Sequence, residues 1–152
     1  MRPIDLLYAG KAKSVYRTDD PDVYIVKFRD DITAFDGEKK DTLGGKGRYN
    51  AEVSSFLFDY LEGHGIATHY IKTLEPATIA VRRLKMFPLE VIVRNIAAGS
   101  LVRSYPFCEG DLLDPPVIII DYKSDALHDP MLNDDLIYAL GLATPEELDQ
   151  IK

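Results

Sequence analysis

The sequence contains one cysteine, Cys108, and no tryptophan. A single thiol excludes the intrachain disulfide framework on which small secreted domains depend. The longest apolar run, residues 116–120, is too short to cross a bilayer, and the first residues lack the pattern of a secretory signal. Basic residues are also scarce, with 18 lysines and arginines against 25 aspartates and glutamates. These features predict a soluble, cytoplasmic protein that binds neither membranes nor nucleic acid.

The 152 residues are otherwise ordinary globular material, 46% hydrophobic, and are enough for one full core or two small ones. Residues 88–103 form the central stretch. Its β-branched run predicts a strand in which Glu90 and Arg94 share one face, and Ala-Ala-Gly-Ser then offers backbone donors before a helical turn. Such a face suits an oxyanion or phosphate cradle. The alternative is a half-buried strand whose charged side chains face solvent.

Near the N-terminus, strands are predicted at residues 6–9, 14–17 and 23–28, forming an antiparallel meander. Its first turn is Gly10-Lys11-Ala12-Lys13. A glycine and a small residue let the backbone approach a phosphate while the lysines add charge, so this hairpin is suited to covering a nucleotide. Because the spacing of a P-loop is absent, a solvated turn is the alternative.

Glycines at positions 44, 45 and 47 precede a predicted amphipathic helix at residues 48–62. These glycines either bind an anion or only provide the geometry for entering the helix. Large apolar residues recur at helical spacing and predict the buried face: Val53, Phe56, Leu57, Tyr60 and Leu61. A strand end and a loop are predicted at residues 30–40, and further strands at residues 69–74 and 78–84.

Residues 82–88 are interpreted as a hinge between two lobes. A connecting segment has free backbone N–H and C=O groups that can bind a nucleotide base, while side chains such as Leu84 or Met86 pack on its ring. Core filling is the alternative for an isolated methionine.

Residues 107–116 are predicted as a loop and residues 117–122 as a strand. Four polar residues then come together: Lys123, Asp125, His128 and Asp129. This spacing suits metal binding or general acid–base chemistry, and plain turn chemistry before a proline is the alternative.

Two helices are predicted at the C-terminal end. Asn133 caps the first, at residues 134–140, and Gly141 closes it. Thr144 and Glu147 form a capping box that begins the second. Because only eight residues follow Thr144, we expect this helix to continue in a longer protein.

Five segments, taken in order, resemble the SAICAR synthetase family. They are Leu7-Tyr-Ala-Gly-Lys-Ala-Lys-Ser-Val-Tyr16, Phe28-Arg-Asp-Asp-Ile-Thr-Ala-Phe-Asp-Gly37, Gly45-Lys-Gly47, Pro88-Leu-Glu-Val-Ile-Val-Arg-Asn-Ile-Ala-Ala-Gly-Ser100 and Lys123-Ser-Asp-Ala-Leu-His-Asp-Pro130. Five motifs in the family's order, over nearly the whole chain, are far more specific than any one of them.

The resemblance implies an ATP-dependent ligase of de novo purine synthesis, which joins L-aspartate to the carboxylate of carboxyaminoimidazole ribonucleotide (CAIR) and uses ATP with Mg²⁺. It assigns ATP binding to Gly10, Lys11, Ala12, Lys13, Val15, Arg82, Leu84 and Met86. Substrate binding is assigned to Asp36, Glu90, Arg94 and Ser100, and catalysis to Arg94, Lys123, Asp125 and His128. The metal ligands stay unassigned.

The resemblance also implies an α+β, ATP-grasp-like fold. A small, mostly antiparallel lobe with one long helix covers the nucleotide at residues 1–85, and residues 86–152 begin the lobe that binds ATP and substrate. Family members continue into a part that carries a lysine and acidic residues for ATP and magnesium. We therefore expect weak nucleotide binding and no turnover from residues 1–152 alone. Formation of a homo-oligomer is left open.

Two rival functions remain at this point. A small-molecule kinase would transfer phosphate without needing an amine, so product analysis with and without aspartate separates it from a ligase. A nucleotide-binding regulatory module would bind ATP without using Arg94 or Lys123, so its binding would survive neutralisation of both residues.

Overall fold

A computed structural model describes residues 1–10, 12–34 and 39–152. The chain divides into two compact units, Met1–Lys85 and Met86–Lys152. Each has its own sheet and its own buried apolar cluster. Two predicted site residues, Lys11 and Asp36, lie outside the described residues. The predicted α+β architecture with antiparallel sheets is confirmed, while the functions predicted for the two lobes stay predictions.

The first unit contains a five-stranded antiparallel sheet and a two-stranded ribbon. Its strands are β1 (Pro3–Ala9), β2 (Lys13–Thr18), β3 (Val23–Phe28), β4 (Asp31–Ala34), β5 (Lys39–Thr42), β6 (Tyr70–Glu75) and β7 (Thr78–Arg82). The sheet order is β1-β2-β3-β7-β6, and β4 pairs with β5. The predicted meander of β1, β2 and β3 is confirmed, but β4 and β5 pair as antiparallel strands, whereas a strand end and a loop were predicted at residues 30–40.

Helix α1 (Lys46–Gly63) packs on this sheet through a face opposite to the predicted one. Its buried residues are the small ones, Gly47, Ala51 and Ser55. Small side chains allow the helix to lie close to the strands, and the Ser55 hydroxyl makes a 2.9 Å hydrogen bond with that of Thr73 on β6. The predicted buried face was therefore wrong, and four of its members are exposed: Val53, Phe56, Leu57 and Tyr60.

The second unit is built on a three-stranded antiparallel sheet of order β10-β9-β8. Its elements are β8 (Leu89–Ile96), α2 (Ser100–Ser104), β9 (Leu112–Tyr122), β10 (Met131–Leu132), α3 (Asp134–Ala139) and α4 (Pro145–Ile151). Buried Ile120 on β9 clusters with Ile137 of α3 and Leu148 of α4. Asn133 caps α3, and Thr144 with Glu147 forms the predicted capping box of α4.

Strand β9 begins five residues before the predicted start at position 117. Arg94 pairs with Val117, whereas Ile96 pairs with Leu112, so the extra residues of β9 form an irregularity that contains Pro115. A proline has no N–H to donate, and such residues are tolerated where the ladder is interrupted. The prolines in the sequence favoured a loop. The interruption that accommodates them was not predictable, because it depends on the pairing with β8.

Within the described part of the chain, no helix is both long and apolar enough to span a membrane.

Candidate functional site

The second unit carries a polar surface at one end of the β8–β9 pair. Glu90 lies directly opposite Asp121 in the ladder, and Arg94 lies opposite Val117. Because residues two apart on a strand point to the same side, these positions share one face of the sheet. Lys123 follows the end of β9 and continues the same face, so the pairing of two strands brings together charges that are distant in sequence.

Lys123 is held between two carboxylates. Its ammonium nitrogen lies 2.8 Å from Oδ2 of Asp129 and 3.2 Å from Oε2 of Glu90. The carboxylate of Asp129, followed by that of Glu90, raises the pKa of Lys123 far above its usual value. This side chain is therefore a fixed positive charge, since a proton bound so firmly is not available for general acid–base transfer.

Asp129 orients Lys123 from a constrained turn. Its Oδ1 accepts a 2.7 Å hydrogen bond from the backbone N–H of Ser124 while its Oδ2 accepts from Lys123. Lys123, and then this N–H, hold the pKa of Asp129 below its ordinary value. Its backbone is left-handed, with φ of 45°. The sequence placed Asp129 in the polar cluster but not in the predicted catalytic set.

Asp121 is a further member of this surface that the sequence did not single out. Burial raises its pKa, and repulsion from Glu90 and Asp129 adds to the effect. Two carboxylates directly opposite each other on adjacent strands destabilise the pair unless a cation lies nearby. Asp121 lies in the strand predicted at residues 117–122, two positions before Lys123, and this spacing is the sequence signal that would have identified it.

Arg94 and Ser100, predicted to act together, lie within hydrogen-bond distance. One terminal nitrogen of Arg94 donates to the Ser100 hydroxyl at 3.1 Å, and the other to the carbonyl oxygen of Ala98 at 3.4 Å. The Nε of Arg94 is buried and has no hydrogen-bond acceptor among the residues that the structure describes. Each of the two terminal nitrogens has a second N–H, so a guanidinium fixed in this way can still donate to an incoming carboxylate or phosphate.

His128 and Asp125 are less tightly placed. Asp125 begins a short 3₁₀ turn, Asp125–Leu127, and the position of its side chain lies outside the described structure. His128 follows with a left-handed backbone (φ 57°) and an exposed side chain. Their predicted catalytic roles stay predictions.

In the first unit, the chain reverses direction between β1 and β2, as expected, and hydrogen bonds of Gly10, Ala12 and Lys13 fix this reversal. The N–H of Gly10 donates to the carbonyl oxygen of Lys13 at 2.9 Å, and the N–H of Arg29 donates to the carbonyl oxygen of Ala12 at 2.9 Å. Lys13 is exposed at the start of β2, whereas Val15 packs partly against the core. The turn thus presents backbone and a lysine to solvent, as a phosphate-covering loop requires.

Arg82, the first residue of the predicted hinge segment, is held by hydrogen bonds to backbone carbonyl oxygens. The guanidinium of Arg82 donates to the carbonyl oxygens of Thr68 and Tyr70, at 2.9 and 3.1 Å, and so ties β7 to the start of β6. Leu84 is exposed, and Met86 is 80% exposed. An exposed methionine in a connecting segment suits a planar apolar ring.

The backbone of the glycines at the start of α1 binds an anionic group, and this group is the carboxylate of Asp30 in the same chain. Its Oδ1 accepts from the N–H of Gly47 at 2.7 Å, and its Oδ2 from the N–H of Gly45 at 3.1 Å. These backbone donors hold the pKa of Asp30 below its usual value. Gly45 offers no side-chain cap, so Asp30 supplies the helix cap from a distant position in the sequence.

Comparisons with known proteins extend over the whole chain. The family model for SAICAR synthetase matches residues 6–152. The phosphoribosylaminoimidazole-succinocarboxamide synthase of Methanoculleus marisnigri is 79% identical over all 152 residues, which cover 63% of that protein. The enzyme of the same name from Methanoregula boonei is 64% identical, and the chain covers 59% of it.

A solved structure described as a SAICAR synthetase in complex with ADP is similar in fold as well as in sequence. It aligns with a TM-score of 0.90 and 45% identity over 97% of this chain and 62% of its own. The chain thus spans about three fifths of the length of the relatives that it matches.

Proposed function

This chain belongs to the SAICAR synthetase family, and from that premise we propose that the protein that carries it is a cytoplasmic, ATP-dependent ligase of de novo purine biosynthesis. The reaction joins the amine of L-aspartate to the carboxylate of CAIR and releases ADP and phosphate. Because the chain spans about three fifths of its relatives, the activity is proposed for the whole protein.

The observation that carries this proposal is the position of Arg94. Its guanidinium is fixed by Ser100 and Ala98, and each of the two terminal nitrogens that make these hydrogen bonds has a second N–H. CAIR bears a carboxylate and a phosphate, the two groups that arginine binds best. Arg94 therefore binds an anionic group of CAIR, and Ser100 orients the guanidinium for it.

Lys123 contributes charge that does not depend on pH near neutrality. A carboxylate does not react with an amine until one of its oxygens becomes a good leaving group, so ATP must first phosphorylate it. Negative charge accumulates as the phosphoryl group moves, and a permanent ammonium on the same sheet face as Arg94 stabilises it. Glu90 and Asp129 act as positioning residues, because they fix Lys123 in place. The proposed catalytic roles of Asp125 and His128 extend this cluster.

ATP binding is proposed for the first unit and the segment that follows it. Gly10, Ala12 and Lys13 cover the phosphates, together with Lys11, which lies outside the described residues. Packing on the adenine is proposed for Val15, Leu84 and Met86, and Arg82 is proposed to support ATP binding through its hydrogen bonds at the end of β7. The ADP bound by a 45% identical relative supports this proposal. Asp36, also outside the described residues, is proposed to face the substrates.

Among residues 1–10, 12–34 and 39–152, no three His, Cys, Asp or Glu side chains are grouped so as to hold a metal ion. Mg²⁺ is bound mainly through the phosphates of ATP and one or two carboxylates in many enzymes of this chemistry. It is therefore proposed only as the partner of ATP, and no residue of this chain is assigned to it.

The experiment that tests the function measures ADP release by the natural gene product in the presence of ATP, magnesium, CAIR and L-aspartate. A ligase releases ADP efficiently only when both substrates are present, and the product has the mass of the aspartate adduct. ADP release that is unchanged without aspartate would identify a kinase, and ATP binding without release would identify a binding module. Residues 1–152 alone, assayed in parallel, are expected to give no turnover.

A further inference from the structure

His69 is a half-buried titratable residue that takes no part in the proposed function. It lies directly before β6, and its carbonyl oxygen accepts a 2.6 Å hydrogen bond from the N–H of Arg82 at the end of β7. Its ring makes an edge-to-face contact with that of Phe58 on α1, with ring centroids 5.0 Å apart. The helix and the end of the sheet thus fix the position of this imidazole in the first unit.

Two cationic side chains lie close to the His69 ring. The guanidinium of Arg82 donates to the carbonyl oxygens of the residues on either side of His69, Thr68 at 2.9 Å and Tyr70 at 3.1 Å. Lys13 approaches the ring from β2. Burial lowers the pKa of His69, and the charges of Lys13 and Arg82 lower it further. The imidazole is therefore mostly neutral near pH 7, because even its ordinary pKa is about 6.5.

This group of nitrogen atoms has no counter-ion within the part of the chain that the structure describes. Lys13 and Arg82 are the charged groups that act on the pKa of His69, and no carboxylate is among them. The carboxylate of Glu62 on α1 is engaged elsewhere, since it accepts a 2.6 Å hydrogen bond from the Thr68 hydroxyl. A neutral imidazole beside two cations is complementary in charge to an anion with several oxygens, such as a phosphate group.

We propose that His69 binds a phosphate group of the nucleotide together with Lys13, and that it takes up one proton when the nucleotide binds. The inference rests on the proposed binding of ATP by residues 10–13, and it adds a residue that lies beside the edge strand β6. The negative oxygens of a phosphate favour the imidazolium form and so oppose the effect of the two cations. The proton comes from solvent and adds to a ring nitrogen, and no other bond is formed or broken.

Proton uptake fixes how the affinity depends on pH. The pKa of His69 is lowered in the free protein and is raised by a bound phosphate, so the complex binds more protons than the free protein between these two values. Binding through His69 therefore becomes tighter as the pH falls from about 8 to about 6. The terminal phosphate of a nucleotide titrates near pH 6 as well, so the wild type and the variants are compared with the same nucleotide.

The first test measures proton uptake during ADP binding by the natural gene product, using titration calorimetry at about pH 6.5 in two buffers that differ in ionisation enthalpy. His69→Gln keeps a polar side chain that cannot be protonated, so we expect it to take up less proton than the wild type. The ratio of the two affinities, wild type over His69→Gln, should grow by roughly tenfold from about pH 8 to about pH 6, which corresponds to a pKa difference of one unit between free and bound protein.

The matched control for this test is His64→Gln. His64 is exposed at the end of α1, and its ring bonds the carbonyl oxygen of Tyr60 at 2.8 Å, away from the two cations. We expect this variant to bind ADP with the affinity and the proton uptake of the wild type.

The second test removes the ring nitrogens and keeps the packing. His69→Phe retains an aromatic ring against Phe58, and its melting temperature checks that the fold is preserved. We expect the dissociation constant of ADP to rise by roughly 10–100-fold, the effect of one hydrogen bond to a charged group. The dissociation constant of adenosine, which has no phosphate, should stay close to the wild-type value.

Two results would overturn the proposal and leave the proposed ligase function intact. Equal proton uptake by the wild type and His69→Gln would mean that the proton enters elsewhere. An equal loss of ADP and adenosine binding in His69→Phe would mean that His69 acts on the base or on the shape of the site. A wild-type protein that does not bind ADP would overturn this inference and the proposed function together.

Discussion

Replacing Gly47 by alanine tests how closely α1 approaches the sheet. In an exposed helix, alanine is more favourable than glycine by about 1 kcal/mol. At this position, however, the added methyl carbon would lie 2.7 Å from the carbonyl oxygen of Phe28 and 3.0 Å from its carbonyl carbon. Both separations are well inside van der Waals contact. The Phe28 backbone cannot move away freely, because its N–H is bonded to the carbonyl oxygen of Ala77 at 2.8 Å.

The expected result is a net loss of stability. Overpacking of this kind costs about 1–3 kcal/mol, and the gain in helix propensity offsets about 1 kcal/mol of it. Displacement of the helix start would also lengthen the hydrogen bond from Gly47 to Asp30, which is 2.7 Å. The packing cost is about 0–2 kcal/mol after this offset, and the weakened hydrogen bond adds to it, so we expect a total loss of about 1–2 kcal/mol. Such a loss corresponds to a melting temperature lower by about 5–15 °C in a unit of this size.

The control for this prediction lies at the other end of the same helix. A methyl group added at Gly63 would meet nothing within 4 Å. Gly63→Ala is therefore expected to leave the melting temperature unchanged or to raise it. Thermal and urea unfolding followed by circular dichroism compare the two variants. If Gly47→Ala melts at or above the wild-type temperature, the close approach of α1 to Phe28 is not as described.

Three further predictions concern the candidate site, the cap of α1 and the core of the second unit. Arg94→Lys keeps the charge but not the fork of donors, so we expect kcat/KM of the natural gene product to fall by roughly 10–100-fold, the value of one hydrogen bond to a charged group, with little change in melting temperature. The pKa of Asp30 is lowered in the folded state, so its contribution to stability is present above the unfolded pKa of about 3.9 and is lost as the pH falls through the folded pKa. In Asp30→Asn this contribution is absent, so the urea midpoint should change less with pH in that acid range than it does in the wild type. Ile137 is completely buried, and Ile137→Ala should destabilise the second unit by about 2–5 kcal/mol in urea titrations; a loss well below 1 kcal/mol would contradict the packing of α3 on β9.

Local signals predicted most of the secondary structure. The capping residues Asn133 and Thr144 were identified from short sequence patterns because a cap is satisfied within one helical turn. The strands of the first meander were found for a similar reason, since alternation and turn residues are local. The start of β9 was missed because its irregularity depends on the pairing with β8.

The buried face of α1 was the clearest error. The apolar periodicity at Val53, Phe56 and Leu57 is real, but these residues lie on the exposed face of the helix. The helix packs through Gly47, Ala51 and Ser55, because closeness to the sheet requires small side chains there. Hydrophobic spacing alone does not distinguish the face of a helix that packs on its own sheet from a face that is exposed in the described chain.

The candidate site was predictable in composition but not in arrangement. Residue types and the family resemblance pointed to Arg94, Ser100 and Lys123. The ion pair between Lys123 and Glu90, and the position of Asp121 opposite Glu90, depend on the register of two strands. A single sequence does not fix that register.

Arg29 and Asp30 connect two segments that are separated in sequence. The carbonyl oxygen of Arg29 accepts a 3.0 Å hydrogen bond from the Lys46 side chain, and its N–H donates to the carbonyl oxygen of Ala12, between β1 and β2. The carboxylate of Asp30 accepts from the N–H groups of Gly45 and Gly47 at the start of α1. We therefore expect the connection between β1 and β2 and the first turn of α1 to open as one cooperative unit. In hydrogen exchange, the amide protons of Arg29, Gly45 and Gly47 are expected to share one opening free energy. Slower exchange at the start of α1 would then accompany any ligand that closes the turn.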